Sequence, residues 1–524
     1  MSHSPLLLHS LNQALIHRDV RGGFGLLDRE VKDLKGLEPS DPHAAALLLC
    51  VAQWVDLGYR NIGFLRNLTM PFAELPRETL RLSDYLSLRM VEAYIAFLGE
   101  DFDRATEILD FVLRVEAGIL EPHLVVLAHL WKCRANRQQG QYELALQHVR
   151  EAKSLAVGMS APKLVAAASI HESWLLFQHG QRKEAFRLLD EAEAELKATG
   201  HMLSIGNIES ARGRYVRRSG EYAKALEHFE RAVRIYGNHS PEHPNLARAL
   251  VNAAYVKRLI ALDIQGKSGS GRAKGDEHAR FMKLCKEALQ LLGRAGEIYS
   301  QQHHHSGTGS VLVNAGYLHL DVGDIDRAES EALKAYEYGE ERQDHILMAR
   351  SRILQAEIQN DRSEDQVGDT PDTARHAHLA RAYSEDAIAL AKLTQNDRLL
   401  AGAYVVRGTV AANEFFCDWD NAKLFAGLAS ELLSNDDLDH LQKQLGSLKK
   451  RILRTTGIDE MLRCWSEGIV GNKSFQRVTE EFAELVIPKV WEREGRKISR
   501  VAQQLSISPK KVRRILNNAQ MLKP

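Results

Sequence analysis

What this 524-residue chain lacks narrows its class before any motif is read. Its five cysteines (Cys50, Cys133, Cys285, Cys417 and Cys464) are scattered, with no C-x-x-C pair. That excludes a disulfide framework and a cysteine zinc site, and implies reduced, mostly buried thiols. The longest apolar run, Ala44 to Ala52, is nine residues, against the roughly 20 that a membrane-spanning helix needs. The opening MSHSPLLLHSLNQALIHRD has no basic segment ahead of a long apolar one, so it reads as an amphipathic helix rather than a secretory signal. A cytoplasmic location is expected. Net charge is also missing: 69 basic and 69 acidic residues cancel, so the chain as a whole predicts no polyanionic partner. It is too long for one compact core, so several domains or an extended repeat array are expected.

An array is what the residues spell. LGEDFDRATEIL, QGQYELALQHV, HGQRKEAFRLL and SGEYAKALEHF align on Ala105, Ala145, Ala185 and Ala225, each 40 residues from the next. Three residues earlier stand Phe102, Tyr142, Arg182 and Tyr222; seven later stand Val112, Ala152, Ala192 and Ala232. Gly99, Gly140, Gly180 and Gly220 precede the blocks. A glycine ends the first helix of a hairpin by taking the left-handed conformation without steric cost. The aromatic fills the space between paired helices, and the alanines let the second helix approach its neighbours. Such hairpins cannot bury their apolar faces alone, so they must stack. The series resumes at Ala288, Ala328, Ala387 and Ala422 after two polar insertions, one around IQGKSGSGRAKGDEH and one spelled NDRSEDQVGDTPDTARHA. His43 to Phe72 reads as a degenerate first hairpin, giving eight or nine between residues 10 and 435.

These marks resemble the tetratricopeptide repeat, with a period longer than that family's usual ~34 residues. The resemblance covers about four-fifths of the chain and implies an all-α solenoid whose surface binds something. Solenoids with longer helices of this kind serve as sensor domains in some bacterial transcription regulators.

The C-terminal GRKISRVAQQLSISPKKVRRILNNAQMLKP has another pattern. With Ala502 where two helices touch, Val501 and Leu505 face inward, Ser506 takes the tight turn, and Ile507 plugs it. Ser508 caps the second helix, Pro509 occupies its first position, and Val512, Ile515 and Leu516 face inward. The helix Phe475 to Glu494 supplies Phe482, Leu485, Val490 and Trp491 as cover, with a kink expected at Pro488. The string is most similar to the Fis-type helix-turn-helix, though Ser506 replaces its glycine and Pro509 a basic residue. Base preference therefore does not carry over. In such motifs the second helix enters the major groove of double-stranded DNA. Arg496, Lys497, Arg500, Ser508, Lys510, Lys511, Arg513, Arg514 and Asn517 are the expected DNA contacts, with Asn518 on the same face. Arginine and asparagine suit bidentate contact with guanine and adenine. Residues 496–524 hold eight basic side chains and no acidic one, so the preceding 495 carry a net −8. Positive charge gathered on one small element is the electrostatic footprint of a DNA reader. The plainer alternative is a basic terminal hairpin that binds the acidic solenoid.

Other signals carry less. His303, His304 and His305 point in different directions and suit an inter-hairpin loop better than a metal; no metal or cofactor is expected. Gly266 to Gly275 has the composition of a phosphate loop without its Gly-Lys-Ser/Thr ending or a preceding strand. No nucleophile–base constellation stands out, so no enzyme is expected. RALVNAAYVKRL and SVLVNAGYLHL place Asn252 and Asn314 at matching sites on neighbouring first helices, which line the concave groove of this architecture. An asparagine there can hydrogen-bond a peptide backbone, as the likeness to tetratricopeptide-type pheromone receptors implies; the plainer reading is that each bonds an adjacent hairpin. The expected organisation is a repeat sensor over 1–435, a helical linker over 436–473 and a DNA-binding domain over 474–524. The expected function is a homodimeric, DNA-binding transcription regulator whose solenoid takes a peptide, protein or small ligand. A scaffold or adaptor with a non-specific basic tail is the alternative.

Overall fold

The computed structural model describes residues 5–518 except 42, 74, 77, 79, 117, 268–274, 366–370, 434–436 and 456–472. Cys464, Lys523 and most of the Gly266–Gly275 run lie outside the described residues, as do parts of the second insertion and of the expected linker. The described residues hold helices and no strand, and none of the helices is long and apolar enough to cross a membrane. The chain divides into two compact units, Met1–Leu448 and Lys449–Pro524.

The first unit begins with α1 (Pro5–Ile16), α2 (Val20–Arg29) and α3 (Val31–Lys35). A short hairpin comes next, α4 (Ala44–Asp56) and α5 (Ile62–Thr69), where the degenerate repeat was expected. The regular hairpins begin with α6 (Leu82–Leu98) and α7 (Phe102–Val115), then α8 (Pro122–Gln138) and α9 (Tyr142–Gly158). Beyond them stand α10 (Pro162–Gln178) with α11 (Arg182–Leu196), and α12 (Met202–Arg218) with α13 (Tyr222–His239). A longer pair flanks the first insertion, α14 (Pro244–Lys267) with α15 (Gly275–Gln301), and α16 (His305–Asp321) pairs with α17 (Ile325–Glu341) after it. The series ends with α18 (His345–Asp365) and α19 (Pro371–Lys392), then α20 (Asp397–Ala411) and α21 (Trp419–Leu432). A last helix, α22 (His440–Thr455), spans the division between the units.

The repeat alanines explain why the helices pair so closely. Ala105, Ala145, Ala185, Ala225, Ala288, Ala328, Ala387 and Ala422 are all 0 % exposed. Each is the residue where the second helix of a hairpin lies against its neighbours, leaving room for a methyl group and no more. The turn glycines behave as expected at three of four sites, with φ of 78° at Gly140, 77° at Gly180 and 77° at Gly220. Gly99 is the exception. Its φ is −81°, and Glu100 takes the left-handed conformation instead, with φ of 61°. The turn is the same, since Asp101 N donates to Ala96 O as Gln141 N donates to Asn136 O. Glu100 has other work for its side chain.

That work is to join distant hairpins. The Glu100 carboxylate accepts from Ser306 N at 2.7 Å and Ser306 Oγ at 2.8 Å, and meets His304 Nδ1 at 2.5 Å. Further along the array, Gly140 lies beside Thr394 and Gln395, and Glu143 N donates to Gln395 Oε1 at 3.5 Å. Further still, Arg182 and Arg398 both reach Asp437, Arg398 also reaches Asp439, and Leu438 N donates to Arg218 O at 2.9 Å. The first unit thus coils back on itself, inter-helix turns of early hairpins touching elements 200 and more residues later. The same contacts show that residues 437–448, expected in the linker, belong to the first unit, where Leu445 and Leu448 are buried.

In the second unit, residues 475–518 form a cluster of three helices: α23 (Phe475–Arg493), α24 (Ile498–Gln504) and α25 (Pro509–Asn518). Ser474 caps α23, accepting from Arg477 N at 3.3 Å, and the helix continues through Pro488. Ile487, Val490 and Trp491 pack on Val501, Ala502, Val512, Ile515 and Leu516. Phe482, expected to cover this core, is 48 % exposed; Ile487, further along the helix, takes that role.

Candidate functional site

The second unit builds its basic face from local backbone chemistry. Ser506 adopts φ of 53° at the turn, and Ile507 N donates back to Ala502 O at 3.0 Å. Ser508 Oγ accepts from Lys511 N at 3.2 Å, and Pro509 opens α25, where a missing N–H costs nothing. Val512, Ile515 and Leu516 are buried, so the 3.6-residue period turns Lys510, Arg513, Arg514 and Asn517 outward, and all four are exposed. Lys511 is half-buried, and the side chain of Asn518 lies outside the described residues. Ser508, Arg496, Lys497 and Arg500 are exposed. Two of these residues have partners that sequence spacing does not reveal. Arg514 forms an ion pair with Glu480 on α23, and the Arg496 guanidinium lies 5.6 Å from the centre of the Trp491 ring.

The first unit holds a cavity of about 240 Å³ on the face formed by the first helices of its early hairpins. Tyr94 and Phe97 on α6, Arg134 and Arg137 on α8, His171 and Trp174 on α10, Arg214 on α12 and Arg248 on α14 line it. Leu15, Ile16 and Arg18 at the end of α1 complete the wall. At one side Arg134 donates to both Asp56 oxygens at 2.6 and 2.8 Å, while Trp131 Nε1 donates at 3.0 Å and Tyr94 Oη at 3.1 Å. Burial alone would raise the Asp56 carboxyl, but Arg134 and these donors outweigh it and hold the group below the usual carboxylate range. The other arginines are differently placed. Arg137 lies 5.2 Å from the Trp174 ring centre, and Arg18 and Arg214 each bury an Nε with no hydrogen-bond partner. Burial pushes Arg18 down to about 10. Burial, with repulsion from Arg248, pushes Arg137 and Arg214 down to about 10 as well. His201 is 4 % exposed with both ring nitrogens unpartnered, and burial holds it neutral, down to about 3.

The paired asparagines stand on first helices, as the alignment predicts. Each donates to the carbonyl one turn back on its own helix: Asn252 Nδ2 to Arg248 O at 2.8 Å, and Asn314 Nδ2 to Ser310 O at 2.7 Å. Neither lines the cavity. The cavity arginines went unrecognised in the sequence because no spacing rule links Arg18, Arg137, Arg214 and Arg248, which come from four separate elements. His304 is more than a loop residue: it caps α16, accepting from Gly307 N at 3.1 Å, besides meeting Glu100. Among the described residues no group of three or more histidine, cysteine, aspartate or glutamate side chains is placed to hold a metal ion. Cys50, Cys133 and Cys285 are buried and Cys417 is exposed.

No family model matches the chain, and no curated protein matches it in sequence. Solved structures do. A Rap protein complexed with Competence and Sporulation Factor superposes with a TM-score of 0.53 at 13 % identity, covering 74 % of this chain and 98 % of that one. The ligand-free quorum sensor NprR from B. thuringiensis covers 74 % of this chain and 98 % of its own at 12 % identity, with a TM-score of 0.46. A human IFIT1 dimer with m7Gppp-AAAA covers 87 % and 91 % at 13 % identity, with a TM-score of 0.47. At such identities what is shared is the fold, and the Rap superposition places the first unit among tetratricopeptide-like helical solenoids.

Proposed function

We propose that the chain is a DNA-binding transcription regulator, in which the first unit receives an effector and the second reads a specific double-stranded DNA site. One observation carries the DNA half of the reading: α25 buries Val512, Ile515 and Leu516 while exposing Lys510, Arg513, Arg514 and Asn517. A helix amphipathic in that sense, placed after a tight capped turn, suits the major groove. In this reading Lys497 and Arg500, both exposed, meet phosphates, and Arg513 and Asn517 meet base edges. One such unit covers little DNA, so a homodimer on a two-fold site is expected. The effector half is supported by the cavity and by the solenoid fold, which a Rap protein shares in complex with Competence and Sporulation Factor. The protein acts by binding, in the cytoplasm, and the domain bearing the motif is residues 474–524.

Selection of bound genomic fragments, with subsequent competition between the selected site and random DNA, tests this reading. A regulator prefers its site by orders of magnitude. Lys497→Ala weakens binding to all sequences and flattens its salt dependence, whereas Arg513→Ala relaxes preference at one base position at a cost of about 1–3 kcal/mol. Equal losses on selected and random DNA from both changes would instead mark a scaffold with a non-specific basic tail.

A further inference from the structure

We infer that the cavity of the first unit is a binding site for a small, multiply charged oxyanion, carried by phosphate or carboxylate groups. This rests on reading that unit as the effector-binding part of the protein, and it names the class of effector.

The charge of the wall is the argument. Six arginines line the cavity (Arg18, Arg60, Arg134, Arg137, Arg214 and Arg248) against three carboxylates, Asp56, Glu100 and Glu242. Those carboxylates are largely spoken for. Asp56 is held by Arg134, Glu100 is engaged by His304 and Ser306, and Glu242 is exposed to solvent. Arg60 pairs with Asp28. Among the described residues no carboxylate lies within ion-pair distance of Arg18, Arg137, Arg214 or Arg248. Arg18 is only 9 % exposed, and its Nε has no partner. Cations withdrawn from water without a counter-charge destabilise a fold, and they persist where something else supplies the charge. Guanidinium groups present a planar fork of donors matched to phosphate and carboxylate oxygens. The unpartnered nitrogens of His201 and the Nε2 of Gln53 and His123, all in the same wall, add neutral hydrogen-bonding capacity. Burial and repulsion from Arg248 already weaken the hold of Arg137 and Arg214 on their protons, which is the strain an anion would relieve.

The test uses the full-length protein with sodium pyrophosphate and sodium citrate as probes, against sodium chloride at equal ionic strength. Thermal melting and titration calorimetry are measured on wild type and on the Arg137→Gln, Arg214→Gln double variant. A third protein, Lys510→Ala with Arg513→Ala, controls for anions that bind the basic face of α25. At least one probe should raise the melting temperature of wild type and of the control by several degrees, and chloride should not. Whether pyrophosphate or citrate does so tells phosphate from carboxylate ligands. The double variant should melt at or above the wild-type temperature without a probe, its uncompensated charges gone, and should respond at least tenfold more weakly. Indifference of wild type to both probes overturns the proposal, as does a double variant that responds like wild type. Should the double variant fail to fold, Arg18→Gln alone gives the same reading, since one unpaired guanidinium is removed from another part of the wall. DNA competition on the same proteins keeps the two readings apart. Anion binding without site-selective DNA binding would leave the site standing and remove the regulator; the reverse would do the opposite.

Discussion

Glu357 on α18 sits beside the closed pair that Arg258 makes with Asp321, at 2.5 and 2.9 Å, and accepts from Gln444 at 3.4 Å. Burial pushes its carboxyl up to about 7 from the ordinary 4.5; Arg258 opposes the shift and Asp361 adds to it. Between those two values the folded chain keeps a proton that the unfolded chain has lost, so its stabilising effect is complete below about 4.5 and vanishes as pH rises through about 7. Glu357→Gln should therefore leave melting temperature unchanged at pH 4 and raise it at pH 8, and a rise of equal size at both would refute the assignment. Ser506 presents a different residue-scale strain. A serine at φ of 53° occupies a conformation that costs side-chain-bearing residues about 1–2 kcal/mol, so Ser506→Gly should stabilise the second unit by up to about 1 kcal/mol, measured by its own unfolding transition. The left-handed position was legible from the motif, because the motif fixes the residue that must turn. The left-handed Glu100 was not: the nearby Gly99 suggested the wrong residue, and the carboxylate's partner Ser306 lies 206 residues away.

At the scale of elements, sequence reading did well wherever one helix meets the next. The 40-residue spacing located the buried alanines because every hairpin poses the same packing problem and solves it with the same small residue. Replacing Ala145 or Ala185 by leucine forces a branched chain into a contact built for a methyl group and should cost about 1–3 kcal/mol, seen as a lowered denaturation midpoint at unchanged denaturant slope. The inward residues of α24 and α25 were equally readable, since each derives from helical period and a known turn. Pairings between α23 and α25 were not. Arg514 is tied to Glu480, 34 residues away on another helix, and no local pattern announces it. If Arg514 contacts DNA it must first leave that carboxylate, so Glu480→Gln should tighten DNA binding several-fold, measured at low salt. Unchanged affinity would mean that Arg514 stays with α23 and does not touch DNA. Asn252 and Asn314 pose the converse question, since each already donates to its own helix. Neither lines the cavity, so replacing both by alanine should leave the response to a cavity ligand and the DNA affinity unchanged in melting and band-shift measurements; a lost response would put the ligand on these first helices instead.

For the whole molecule, the sequence announced a repeat array and a small basic helical unit after it, but not how the array closes. Local periodicity carries no information about which turn will meet which after several hairpins. The residues that join them, such as Glu100, Ser306, Arg182, Arg398 and Asp437, look like ordinary surface positions. Removing residues 474–524 should leave a folded helical first unit that no longer binds DNA, checked by circular dichroism and by band shift; retained DNA binding would refute the assignment of the reader. The joins also set how that unit folds. A simple stack of repeats has neighbours only nearby in sequence, so it can form from any point and fray from either end. Here contacts such as Glu100 with Ser306 and Arg182 with Asp437 raise the mean sequence separation of touching residues. Loop closure over that separation must precede their reward, which slows the final step of folding relative to an open array. Once made, they tie distant repeats into one cooperative transition, so the ends resist fraying and the unit opens as a whole.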